Sequence, residues 1–179
     1  MDHTEIELNP VDFITIGTVG PKGRRQFYLQ AGAERQVVSL IIEKEQARVL
    51  AETLSELLDD LIKRNASLPG DMTDLSKLNM DLRDPIEPRF RVGQIGVGYD
   101  PDQDMIILVA QELLELGALN SDDEDTDEPN AEESQEQPSV VRLWVSRQQM
   151  RALSVHAMSV VRQGRVDPQS NGRMMYYWT

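Results

Sequence analysis

The clearest periodic signal lies in Ser39–Asn65, where Val49, Leu50, Leu54, Leu57, Leu58, Leu61 and Ile62 recur every three or four residues. That spacing lays one apolar stripe along an α-helix. The run just before it, Gln36–Ile42, is apolar and rich in β-branched residues, the composition of a strand. Glu43 and Gln46 supply a helix-start signal where the period changes. Upstream, Phe13–Val19 and Arg25–Ala31 read as two further strands, joined by Gly20-Pro21-Lys22-Gly23, residues suited to a tight turn. The order is β-β-β-α.

The same order returns later in the chain. Phe90–Gly98 reads as a strand, Tyr99–Asp104 as a turn, Met105–Leu113 as a second strand and Val140–Val145 as a third. A helix over Arg147–Gln163 follows, with Ser146 and Gln149 spaced as a capping box, Gly164 just past its end, and Met150, Leu153, Ala157, Val160 and Val161 as its stripe. Two blocks align without gaps: Thr15–Gly20 over Arg91–Gly96, and Val38–Leu58 over Val141–Val161. The expected fold is α+β, an internal duplication of β-β-β-α units forming a mainly antiparallel sheet with two packed helices. Residues 1–179 are expected to form a single domain, with a first unit at 11–65, a linker at 66–89 and a second unit at 90–164. The linker holds Pro69-Gly70, Asp84-Pro85 and Glu87-Pro88, and one short helical turn is expected near Leu75–Leu82.

Charge changes the picture of two segments. The formal net charge is −13, but residues 120–138 alone hold nine acids among Ser, Gln and Pro, and no Lys or Arg occurs between Arg91 and Arg142. Such a stretch cannot bury enough apolar surface to offset its ordering entropy, so an acidic disordered insertion is expected there. Beyond it the balance reverses: Arg142–Thr179 carries six arginines against the single acid Asp167, and residues 165–179 form a basic, aromatic tail ending Tyr176-Tyr177-Trp178. Overall acidity makes nucleic acid an unlikely partner, because a polyanion is repelled. No apolar run approaches the ~18 residues needed to span a bilayer. With no secretory pattern in residues 1–10 and no cysteine in the chain, the expectation is a soluble cytoplasmic protein without disulfides, thiolate chemistry or cysteine-type zinc sites.

Catalytic inventory is thin. His3 and His156 are the only imidazoles; the first lies in a terminus expected to fray, the second beside an apolar stripe, where a boundary histidine is the ordinary reading. Asp100, Asp102 and Asp104 alternate as a calcium loop begins, but Met105 stands where glycine is required and Gln111 where the bidentate glutamate belongs, so a polar hairpin turn is expected. Gly17, Gly20 and Gly23 lead into a strand rather than a helix and lack a following Lys-Ser/Thr, which makes them turn residues rather than a phosphate loop. Lys22, Arg24 and Arg25 cluster at that hairpin and, with Arg91, are the candidate ligand-binding residues, since phosphate recognition needs several cationic donors around one point. No catalytic residue, metal ligand or cofactor is assigned.

Ile16-Gly17-Thr18-Val19-Gly20, Phe27-Tyr28-Leu29-Gln30-Ala31, Glu43-Lys44-Glu45-Gln46 and Phe90-Arg91-Val92-Gly93 together resemble the bacterial family catalogued as domain of unknown function 3090. The resemblance covers nearly the whole chain and implies no activity. Many members of that family carry a short C-terminal cysteine-containing segment similar to a zinc knuckle. Here Gly164–Gly172 keeps its flanks without the cysteines, so no metal is implied for this chain. Two functional expectations follow. The first is a non-catalytic binding or adaptor module with a protein partner; the alternative is an enzyme or binding protein for a phosphorylated small molecule.

Overall fold

The computed structural model describes residues 3–70, 74, 77–115 and 137–163. Seven strands and two helices follow in the order β1 (Glu5–Leu8), β2 (Phe13–Val19), β3 (Gln26–Ala33), β4 (Gln36–Ile42), α1 (Lys44–Arg64), β5 (Pro88–Asp100), β6 (Met105–Glu112), β7 (Val140–Ser146) and α2 (Arg147–Gln163). The strands and helices expected from periodicity are present, most with bounds shifted by one or two residues. β1 is an addition: the segment expected to fray instead alternates exposed glutamates with buried Ile6 and Leu8. The acidic residues 120–136, the tail 165–179 and residues 75 and 76 of the expected linker turn lie outside the described residues. Of that turn, the bond from Lys77 N–H to the Asp74 carbonyl is present.

Strand order across the sheet is β1-β7-β6-β5-β4-β3-β2. Four of the six pairings are antiparallel, while β1 with β7 and β4 with β5 are parallel. Mainly antiparallel is therefore right and a mixed sheet is the fuller description. The edge strands β1 and β2 are separated only by residues 9–12. Five extended Cα steps span about 18 Å, whereas the edges of a flat seven-stranded sheet stand about 29 Å apart. The sheet must curl, and the joining segment bonds both sides: Val11 N–H to the Trp144 carbonyl at 2.9 Å and Asp12 N–H to the Gly32 carbonyl at 2.7 Å. β5 makes a similar crossing. Its start pairs with β4 (Ser39 opposite Pro88), its remainder with β6, and the register shifts between Val92 and Gln94.

One glutamine in each helix cap holds each crossing. Gln46 accepts a hydrogen bond from the Glu43 amide at 2.8 Å and donates to the Val92 carbonyl at 3.0 Å. Gln149 accepts from the Ser146 amide at 3.0 Å and donates to the carbonyls of Val11 and Asp12 at 3.3 and 3.2 Å. The capping box read from Ser146 and Gln149 is completed by the Gln149 amide donating to Ser146 Oγ at 3.1 Å. Each cap thus ties a helix start to the strand crossing beside it.

Both helices join one core with the sheet. Leu50, Leu54 and Leu58 of α1, Met150, Leu153 and Ala157 of α2, and Ile16, Leu29, Leu40, Ile106, Leu108 and Leu143 of the strands are all buried in it. Each such Leu or Ile contributes about 1.5–3 kcal/mol through burial. The opposite face of β2-β3-β4 carries Thr15, Gln30 and Ser39, aligned across the strands and buried. Residues 80–83 bond the first two: Thr15 Oγ1 donates to the Met80 carbonyl at 2.6 Å, and the Gln30 side-chain amide exchanges two bonds with the Arg83 backbone at 2.9 and 2.7 Å, while Gln30 also donates to Ser39 Oγ at 3.0 Å. The segment expected to be a plain linker is therefore also a cover for this face. No helix among the described residues is long and apolar enough to cross a membrane.

Candidate anion-binding site

The hairpin between β2 and β3 turns through Gly20 and Gly23, both at positive φ (109° and 83°), as expected for turn glycines. Pairing of Phe27 with Ile42 brings the start of β3 beside the end of β4, where α1 begins. Arg91 reaches the same corner because it pairs with Ile41 from the other side. The result is an open cleft of about 380 Å³ lined by Gly23, Arg25, Glu43, Lys44 and Arg91, with Gln26, Phe27 and Ile42 as its floor. Of the four residues singled out in the sequence, Arg25 and Arg91 converge here, whereas Lys22 and Arg24 on the turn do not line the cleft. Lys44 is the residue that sequence reasoning missed; its signal was its place as the first helical residue directly after a strand.

Three cations face this cleft against one carboxylate, Glu43, which forms an ion pair with Arg91 and also caps the third amide of α1. Glu43 thus marks a point that attracts negative charge from two sources, a guanidinium and a helix N-terminus.

The corner formed by β6, β7 and α2 has the same register and the opposite outcome. Ile106 pairs with Val145 as Phe27 pairs with Ile42, so Asp104 stands where Arg25 does and Arg147 where Lys44 does. There the charges are complementary. Arg147, its side chain only 2% exposed, makes two bonds to the Asp104 carboxylate at 2.7 and 2.9 Å and a third to the Pro69 carbonyl at 2.8 Å. The Tyr99 hydroxyl donates to the same carboxylate at 2.9 Å. Bonding from Arg147 holds Asp104 below the usual carboxylate range, while burial, followed by the hydrogen bond to Asp104, pushes the Tyr99 phenol up. That corner is sealed. Arg25 and Lys44, of like charge, cannot seal theirs.

A larger cleft of about 740 Å³ lies at the β1–β2 crossing, but it offers Arg35 and Arg89 against Glu7, Asp12 and Glu34. Its acids outnumber its bases, so it does not favour an anion. His156 sits half-buried on α2 against the Ile16 backbone; burial lowers its pKa, with Asp81 and the backbone bond opposing. The expected polar turn is present at Asp100–Asp104, where Asp100 accepts from the Asp102 amide at 2.9 Å. Among the described residues no group of three or more His, Asp and Glu side chains could hold a metal ion. The cysteine-free stretch 164–172 lies outside them and offers no thiolate to zinc.

Among the described residues the structure defines an α+β fold with a curled mixed sheet, two packed helices and an open basic corner. The chain belongs to the family described as "Protein of unknown function (DUF3090)", whose model matches residues 6–171. No curated protein and no solved structure matches it.

Proposed function

We propose that this protein is a non-catalytic binding module whose open basic corner takes a phosphate-bearing ligand. The observation that carries this reading is the contrast between the two corners. Arg147 with Asp104 neutralises one, while Arg25, Lys44 and Arg91 leave the other with an excess of cations around a single carboxylate. An incoming phosphate would displace Glu43 from Arg91 and gain Arg25 and Lys44, which a carboxylate fixed on the helix cap does not satisfy together. Binding rather than turnover is supported by an inventory of no cysteine and two histidines, neither of which lines the cleft.

The internal duplication belongs to the same proposal. It is supported by the repeated β-β-β-α order and by Gln46 and Gln149 making the same two kinds of bond. The registers favour a different alignment of the first strands from the one read in the sequence. Ile16 faces Leu29 as Val97 faces Leu108, which matches Gly17 with Gly98 rather than with Gly93.

The test is thermal melting of the full chain against inorganic phosphate, pyrophosphate and a panel of phosphorylated metabolites at low ionic strength. Ligand at a hundred times its Kd stabilises by about 2.7 kcal/mol, roughly 5–10 °C for a chain of this length. Arg25→Ala with Arg91→Ala should abolish the shift, and Lys22→Ala with Arg24→Ala should leave most of it. A protein partner bearing the phosphate would give a weak response to the panel and phosphatase-sensitive capture from host extract. Turnover of any panel compound would overturn the non-catalytic part of the reading.

A further inference from the structure

The two halves differ in what covers the outer face of the sheet. In the first half the segment following α1 lies across it, bonding Thr15 and Gln30 through Met80 and Arg83. Leu82 sits so close to Gly17 that a Cβ there would lie 2.6 Å from the leucine Cγ, and Arg83 stacks 3.5 Å from the Phe13 ring centroid. Following the cross-strand registers, the matching face of the second half presents Gly96, Val109 and Arg142 in one row and Gly98, Ile107 and Trp144 in the next. Among the described residues, nothing lies within 4 Å of a Cβ added at Gly96 or Gly98. Two bare glycines beside Ile107, Val109 and Trp144 leave an apolar strip with room for a flat side chain. Glycines in a strand weaken it unless something approaches closely, and an aromatic ring laid over them restores the lost contact.

We infer that this strip is the docking surface for the chain's own segment after α2, residues 164–179, and that Tyr176, Tyr177 and Trp178 are the side chains that occupy it. These residues lie outside the described ones, but the sequence fixes their distance from α2. Met174–Trp178 follow the end of α2 at the spacing at which residues 75–79 follow the end of α1, just ahead of the point where Met80 meets Thr15. Reach is sufficient: thirteen extended residues span about 44 Å, more than the ~29 Å across seven flat strands. The chemistry also fits. Two methionines and three aromatics in five residues are apolar enough to bury, and tyrosine and tryptophan lose little side-chain entropy on docking.

The chain holds two tryptophans, Trp144 and Trp178, so Trp144→Phe in the full-length protein leaves Trp178 as the sole reporter. Docking predicts a blue-shifted emission and several-fold slower acrylamide quenching than for free tryptophan. Gly98→Val, which fills the strip, should shift the emission to the red and restore quenching. In the unmutated chain, nuclear Overhauser contacts should join the Trp178 ring to the Gly98 α-protons, which keeps the inference testable if either variant folds poorly. Solvent-like emission of Trp178 together with no such contacts would overturn it. So would protection that appears only as protein concentration rises, because the strip would then be seating a second copy.

Discussion

Replacing Asp104 by asparagine isolates the charge that seals the second corner. Asp104 sits at φ 52°, a backbone conformation that asparagine also tolerates, so the substitution keeps shape and turn while removing the carboxylate. It deletes two charge-assisted bonds to a guanidinium that is 2% exposed and disturbs the Tyr99 hydroxyl bond at 2.9 Å. Breaking a fully buried pair from one side costs about 3–5 kcal/mol. The Asp104 side chain is 37% exposed, and solvent screening there brings the expectation down to about 2–3 kcal/mol, or roughly 5–10 °C. Urea denaturation at neutral pH gives the free energy directly. Adding Arg147→Met removes the stranded charge, so the double variant should be more stable than Asp104→Asn alone. A loss below about 0.5 kcal/mol, within the range of ordinary surface substitutions, would refute the view that this ion pair closes the corner.

Gly17→Ala should cost about 1–3 kcal/mol by overpacking against Leu82, and Leu82→Ala in the same chain should recover part of it; a neutral Gly17→Ala would mean that residues 80–83 are not seated on the sheet. His156 titrates lower in the folded than in the unfolded chain, so its contribution to stability is present above the usual histidine value of about 6.5 and is lost as pH falls through the depressed folded value. Urea midpoints at pH 7.5 and 5.5 should therefore differ less in His156→Gln than in the wild type, with Asp81, whose charge opposes the shift, left in place. Gln149→Ala removes a bond to the Ser146 amide and the bonds to Val11 and Asp12, and should lower stability by about 1–2 kcal/mol while leaving the helix content of α1 unchanged; circular dichroism and urea melts measure both.

Elements were legible in the sequence where the pattern is clean: the leucine stripe of α1 encodes one buried face, and the short apolar run of β6 between a polar turn and an acidic stretch marks a strand. β1 was missed because four residues carry only two apolar positions, and what secures it is pairing with β7, far along the chain. The curl of the sheet was equally hidden, since it follows from β1 and β2 pairing with different partners across a short connection. At the basic corner, Arg25 and Arg91 were chosen for charge near glycine and are brought together by strand register, whereas Lys22 and Arg24 are adjacent in sequence but turned onto the hairpin tip. Arg147 read as an ordinary first residue of a helix. Its burial depends on Asp104, whose alternation with Asp100 and Asp102 read as turn chemistry alone. The burial of Thr15, Gln30 and Ser39 was not legible either: residues 80–83, distant in sequence, bond Thr15 and Gln30, and Gln30 in turn bonds Ser39.

An amide chemical-shift titration of the isotopically labelled chain with inorganic pyrophosphate tests the binding proposal most directly. The anion-binding account predicts saturable shifts concentrated at Gly23, Arg25, Lys44 and Arg91, with the largest response at the α1 N-terminus as Glu43 is displaced, and their loss in the Arg25→Ala, Arg91→Ala double variant. Shifts confined to Lys22 and Arg24, shifts elsewhere on the sheet, or no saturable response at low ionic strength would contradict it.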